Sequence, residues 1–229
     1  MNSLPSRCRP RCWSRLAAAP LGLALLVGAC TGGPAPDRHA ASSPGPVADS
    51  EAGRLCRAQL GALGARFDPV ADLENAGGCV SRNAVSLRAL AGDSSSIPVA
   101  NLARVSCPLA QDLAGWVRFG VGRAAEQILG SRLSAIETFG AYACRNVAGS
   151  GRLSAHARAE AVDISGFLLA DGRRITVASG WNGSEAERRF LRIVHASACK
   201  RFGTVLGPDY NAAHHDHLHF ETGDGSFCR

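Results

Sequence analysis

The chain has 229 residues, 46% of them hydrophobic and 6% aromatic, enough for one ordinary domain with extra segments and a core resting mainly on Leu, Val, Ala and Ile. Its formal charge of +6 is concentrated at the start: setting aside Arg7, Arg9, Arg11 and Arg15 leaves 21 basic against 19 acidic residues, a net of +2. The remainder is near neutral and holds no dense Lys/Arg run, which argues against nucleic acid as a partner.

The N-terminus has the three parts of a secretory signal. A positive region over 7–15 is followed by small, apolar residues over 16–29, interrupted only by Pro20. That run is short of the ~20 residues that span a bilayer. It ends Leu26-Val27-Gly28-Ala29-Cys30, which resembles a bacterial lipobox. The resemblance implies cleavage before Cys30 and a lipid on its thiol that attaches the protein to a membrane. Thr31, rather than Asp, follows the cysteine, similar to lipoproteins sorted to the outer membrane. The expected location is therefore the cell envelope, on the periplasmic face of the outer membrane. Residues 31–50 are rich in Pro, Ala, Ser and Gly and read as a flexible tether, since they cannot bury enough apolar surface to offset chain ordering. The chain thus divides into a signal over 1–29, a lipid-anchored linker over 30–50 and a domain over 51–229.

Nine cysteines are present. Cys8 and Cys12 fall in the signal and Cys30 is assigned to lipid. Cys56, Cys79, Cys107, Cys144, Cys199 and Cys228 remain, an even number that suggests three disulfides in an exported protein. Six cysteines allow 15 connectivities. Nearest-neighbour pairing, Cys56–Cys79, Cys107–Cys144 and Cys199–Cys228, is the simplest expectation. The absence of a C-x-x-C motif after Cys30 argues against a cysteine metal site.

Within the domain, Leu55, Gln59 and Leu63 fit a short helix. Residues 79–90 alternate partly, as in a strand. Residues 106–119 read as a helix with Leu109, Leu113, Trp116 and Val117 on one face. Strands are expected over 133–143, 161–164 and 175–178, and an amphipathic helix over 185–200 with Phe190, Leu191, Val194 and Ala198 together. A last strand covers 217–221. Helices and strands mix without regular alternation, so the expected class is α+β.

Two segments concentrate unusual residues, and five of the seven histidines lie in them. One is Leu153-Ser154-Ala155-His156-Ala157-Arg158-Ala159-Glu160-Ala161-Val162-Asp163-Ile164. The other is His214-His215-Asp216-His217-Leu218-His219-Phe220-Glu221. On a strand, His217 and His219 point to one side, with Leu218 packing behind. A loop entering the strand at 161–164 returns Asp163 beside His156. Two imidazoles and a carboxylate, with a fourth position left to water, are the ligand pattern of a catalytic zinc. His39 and His195 read as solvent-facing.

The order S-x-H-x-x-x-x-x-x-D followed by H-x-H resembles the zinc peptidases that include D-Ala-D-Ala carboxypeptidases, murein endopeptidases and the hedgehog fold. More specifically, the chain resembles the bacterial extensin-like family, named for its C-terminal domain. The residues that carry this are Tyr142-Ala143-Cys144-Arg145, Ser154-Ala155-His156-Ala157, Ala161-Val162-Asp163-Ile164, Gly207-Pro208-Asp209-Tyr210-Asn211 and the histidine segment from His214. The resemblance covers nearly all of 54–228, including the six cysteines. It implies a small antiparallel sheet flanked by helices and stapled by disulfides. It further implies one zinc ion on His156, Asp163 and His219, His217 as base or transition-state stabiliser, and Arg145 paired with a substrate carboxylate, a task suited to a guanidinium fork. Ser154 would orient a ligand or bond backbone, and His214 would support the ligands or the loop. Ala159 stands where many of the carboxypeptidases have Gly, and no Glu precedes the last ligand closely.

Two functions follow as expectations. The first is a zinc-dependent peptidase acting on a peptidoglycan peptide. The second is a non-catalytic envelope module that binds murein, a metal or a protein partner on the same fold. A plant-type wall-protein role is disfavoured, because the Pro-rich, Tyr-rich repeats it needs are missing.

Overall fold

Ser50 caps the first helix, α1 (Glu51–Ala62), by accepting from the Gly53 amide, and Glu51 sits in the first turn, where the helix dipole favours an acid. The structure, a computed structural model, describes residues 50–229. The expected export signal, the lipidation site Cys30, nearly all of the tether, Cys8, Cys12 and His39 lie outside the described residues. No helix of the described residues is long and apolar enough to cross a membrane.

After α1 come β1 (Arg66–Pro69), β2 (Leu73–Glu74), β3 (Val80–Ser81), β4 (Ala84–Ala91), β5 (Ser96–Pro98) and β6 (Val105–Ser106). Strands β1, β5 and β6 all pair antiparallel with β4, forming a small four-stranded sheet. The strand expected over 79–90 is split in two. Asn83 turns into the left-handed region at φ 50, and its amide donates to Asp72. Next, α2 (Cys107–Trp116) opens with Ser106 as its cap and Pro108 in the first turn, where a missing N–H costs nothing. The chain winds on through π-helical turns at Val117–Gly122 and Ala125–Leu129 and stops at Gly130, φ 66.

The second half builds a six-stranded sheet from β7 (Leu133–Gly140), β8 (Ala161–Leu169), β9 (Arg174–Thr176), β10 (Thr204–Leu206), β11 (Leu218–Glu221) and β12 (Phe227–Cys228). Helices α3 (Val177–Gly180) and α4 (Glu185–Ala198) lie between β9 and β10 in the chain. Strand β8 is the axis of this sheet. It pairs antiparallel with β7 on one side and with β11 and β9 along the other, while β10 joins β11 antiparallel and β12 parallel. The class is α+β with mostly antiparallel sheets, as the mixed pattern implied. The strand expected at 175–178 ends early, because Thr176 caps α3. Ser184 and Glu187 form a reciprocal capping box for α4, whose inner face is Phe190, Leu191, Val194 and Ala198, as its periodicity predicted.

The core corrects one expectation drawn from composition. Few aromatics are present, yet they occupy its centre. Trp116 is fully buried and lies 5.0 Å from Phe220 and 6.2 Å from Phe167, ring centre to ring centre. Phe202 stacks on Phe220 and Phe190 meets Phe167 edge-on. The Trp116 indole donates to the Val194 carbonyl, joining α2 to α4. His195, expected to face solvent, is half-buried against Trp181, with its Nε2 3.1 Å from the Arg229 carbonyl. Burial lowers its pKa.

Three disulfides are formed among the described residues, and two differ from nearest-neighbour pairing. Cys199–Cys228 is as expected, but the others are Cys56–Cys107 and Cys79–Cys144. The reason is spatial. Cys107 begins the helix that packs on α1, and Cys144 lies where the chain leaves β7, opposite the β2–β3 turn. By the chain-entropy model, closing a loop of 65 residues restricts the unfolded state by about 4 kcal/mol. Replacing Cys79 and Cys144 together by Ser is expected to cost ~2–5 kcal/mol in urea unfolding. An unchanged midpoint would show that the bridge does not tie this segment down.

Candidate metal centre

The site forms where β7, β8 and β11 meet the turn that precedes β8. Gly140 ends β7 at φ 118, a conformation that favours glycine. The pairing of β7 with β8 shifts register at Glu137/Thr138 and Thr138/Gly140, and Gly140 is left opposite Asp163. The chain then makes an excursion over 146–153, closed by the Asn146–Leu153 bridge. It returns so that the Ser154 amide donates to the Arg145 carbonyl. Ser154 caps the 3₁₀ turn Ala155–Arg158 through the His156 amide, and Ala159 ends it at φ 57. Ala159 is the position noted for its departure from Gly, and it holds the left-handed backbone that glycine adopts more easily.

This turn aims the buried His156 ring inward. Its Nδ1 donates to the Ala141 carbonyl at 2.9 Å, so the lone pair of Nε2 faces the centre. Asp163 on β8 stands in register with His219 on β11. His219 Nε2 donates to Glu221 at 3.0 Å, and its Nδ1 also faces the centre. The separations are 3.2 Å from His156 Nε2 to His219 Nδ1, 3.3 Å from His156 Nε2 to Asp163 Oδ2, and 2.8 Å from His219 Nδ1 to Asp163 Oδ1. A tetrahedral ion with bonds of ~2.0–2.2 Å separates its donors by about 3.3–3.6 Å. Two of the three separations lie close to that range, and the His219–Asp163 pair, at 2.8 Å, would have to open by about 0.5 Å or more to admit a divalent ion. Both imidazoles have their outer nitrogens tied to oxygen acceptors, as metal-binding histidines usually do.

The remaining candidates surround this triangle. His217 Nε2 is 3.5 Å from Asp163 Oδ1, while its Nδ1 is held by Asp216 at 2.9 Å. His214 is held by Asn211 at 2.7 Å, within a short turn that Asn211 also caps. The loop is moored by Asp209, which accepts from the Trp181 indole and pairs with Arg192. Arg145 is exposed beside the His156 turn and has no ion-pair partner among the described residues. Ser154 acts through the backbone of the turn. Sequence reasoning missed Glu221, Asp216 and the exposed Phe139, whose ring lies 5.8 Å from His217. Strand alternation offered a signal for Glu221, since residues 219 and 221 share a face.

Electrostatics follow from this crowding. Burial acts to raise the Asp163 pKa, but hydrogen bonds and charge from His156 and His219 outweigh it and hold the carboxyl well below its usual range. Burial likewise disfavours charged His219, yet Asp163 and Glu221 together raise it to about 9. Its hydrogen bond holds Glu221 low. Burial, then the charges of His217 and His219, lower His214 to about 4, with Arg145 adding to the effect. Without a metal, the centre thus holds a proton on His219 in the place a cation would take.

The extensin-like protein C-terminus family matches residues 54–229, and the chain belongs to that family. No curated protein and no solved structure shows a significant match to it.

Two measurements probe the centre. In chelator, stability from His219 is complete below its unfolded pKa of ~6.5 and is lost as pH rises through about 9. The Asp163 contribution is present above ~3.9 and is lost as pH falls. The melting temperature should therefore decline from pH 7 to pH 10, and His219→Ala should flatten that decline; an equally steep decline in the variant would assign it elsewhere. Separately, Glu221→Ala should weaken divalent-ion affinity ~10–100-fold in competition with a chromophoric chelator. Unchanged affinity would remove Glu221 from the centre.

Proposed function

We propose that this protein is a zinc-dependent peptidase that hydrolyses an amide bond in peptidoglycan peptides of the cell envelope. The observation that carries the reading is the triangle of His156, Asp163 and His219, whose lone pairs converge with their outer nitrogens already engaged. These three would hold one zinc ion, which supplies Lewis acidity at a carbonyl and makes water a usable nucleophile near neutral pH. The finer fold assignment belongs to the same reading: the order and roles of these residues resemble the D-Ala-D-Ala peptidase and hedgehog group. The lipid anchor at Cys30 and the envelope location expected from the N-terminal sequence would fit a substrate in the cell wall.

The chain's own groups have distinct tasks in this reaction. Asp216 fixes the His217 tautomer, so Nε2 faces the reacting centre as acceptor. His217 then takes a proton from the nucleophile and returns it to the leaving amine. Arg145, without an ion-pair partner among the described residues, offers its fork to a substrate carboxylate. His214 stays neutral at pH 7 and donates its Nδ1 proton to Asn211, leaving Nε2 as an acceptor.

The test is metal content followed by turnover. Purified, oxidised protein should carry about one zinc per chain, and His219→Ala should lose it. His217→Ala should keep its zinc while cleavage of murein peptide fragments drops ~10²–10⁴-fold. Absence of zinc, even after addition to folded protein, would sink the reading. Zinc without cleavage, and unchanged behaviour of His217→Ala, would assign the site to binding instead.

A further inference from the structure

Seven large hydrophobic side chains are exposed among the described residues, and three of them stand on one continuous row of ring contacts. Phe139 meets His217 at 5.8 Å, His217 meets His214 at 5.1 Å, His214 meets Tyr210 at 5.6 Å, and Tyr210 meets Phe227 at 5.9 Å. Phe139 is 60% exposed, and Tyr210 and Phe227 are each 44% exposed. Single exposed apolar residues are ordinary; here three exposed rings are joined through the half-buried His214 and the largely buried His217 into one line of ring contacts, and such a clustering marks a contact surface. The row comes from three distant parts of the chain: the end of β7, the loop moored by Asp209, and β12. It leaves His217 in both directions, to Phe139 one way and through His214 to Tyr210 and Phe227 the other.

The charges beside the row decide what would lie on it. Arg145 has no ion-pair partner among the described residues and acts electrostatically on His214. Arg229 lies over the Phe227 ring at 5.1 Å, and its guanidinium donates to the Cys228 carbonyl and has no ion-pair partner among the described residues. Three acids of this region are already engaged: Asp216 by His217, Asp163 by His156 and His219, and Asp209 by Trp181 and Arg192. The surface is thus aromatic with cations open to an anion, which favours a ligand carrying carboxylates over a neutral glycan. Each ring-to-ring step covers roughly two residues of an extended peptide, so the row is longer than a dipeptide.

We infer that Phe139, His214, Tyr210 and Phe227 form an aromatic track that binds an extended, carboxylate-bearing peptide on both sides of His217. The choice of peptide rests on the peptidase reading above. The test is run on chelator-treated full-length protein, so it does not depend on metal or turnover, and the two readings can fail separately. Fluorescence anisotropy would follow a labelled cross-linked stem-peptide dimer, with an unlabelled D-Ala-D-Ala dipeptide and a neutral chito-oligosaccharide as competitors. The dimer should bind at least tenfold more tightly than the dipeptide. Phe139→Ala and Tyr210→Ala should each weaken the dimer about tenfold and leave the dipeptide within about twofold. Arg145→Ala should weaken the dimer but not a version with esterified carboxylates. Both ring positions are exposed, and matching melting temperatures would establish that the variants fold. Dimer binding unchanged in both ring variants, or chito-oligosaccharide binding as tight as the dimer's, would overturn the track. Absence of zinc with the binding pattern intact would leave the track standing and remove only the metal-dependent step.

Discussion

Two imidazole nitrogens and a carboxylate brought within about 3 Å of one another, all presenting lone pairs, repel unless a positive charge sits among them. That constraint organises the surrounding structure. His156 and His219 cannot rotate away, because the Ala141 carbonyl and Glu221 hold their outer nitrogens. Asp163 cannot retreat, because β8 is paired on both sides. A proton on His219, favoured by Asp163 and Glu221, relieves this conflict, and a metal ion would do the same.

The fold supplies the stiffness this needs. Strands β8 and β11 place Asp163 and His219 directly opposite one another, and the pairing leaves no freedom of register because their alternate side chains fill the core. The His156 turn is held at one end by Ser154 and at the other by Ala159, and the Cys79–Cys144 bridge fastens the segment before it. On the other flank, Asp209 ties the histidine loop that precedes β11 to Trp181 and Arg192, so that the loop carrying His214 and His217 is anchored to the end of α3 and to α4. The centre lies between the inner strands β8 and β11 where β7 ends, with its donors largely buried and Phe139 beside it exposed. That combination suits a large ligand that approaches from solvent.

Much of this was legible in the residues alone. The alternation His217-Leu218-His219 announces one functional face, and Ser154 and His156 followed seven residues later by Asp163 announce a turn entering a strand. Periodicity identified the inner face of α4 residue by residue. Cysteine parity after Cys30 indicated three bridges. These features are local: they depend on which side of a strand or helix a residue falls, and spacing decides that.

What spacing could not decide is which distant segments meet. The pairing of Cys56 with Cys107 and of Cys79 with Cys144 depends on how α2 returns to α1 and how β7 leaves the sheet. The nearness of Arg145 to the centre depends on the excursion over 146–153, and the engagement of Glu221 on the His219 ring standing between it and Asp163. The aromatic row is the clearest case, since Phe139, Tyr210 and Phe227 share no motif and become neighbours only through the sheet. Sequence by itself determined the class of fold and the donor set, because both follow from local geometry and side-chain chemistry. Only the tertiary structure decided the disulfide partners, the charges free to meet a ligand and the surface around the centre, because each depends on contacts between residues far apart in the chain.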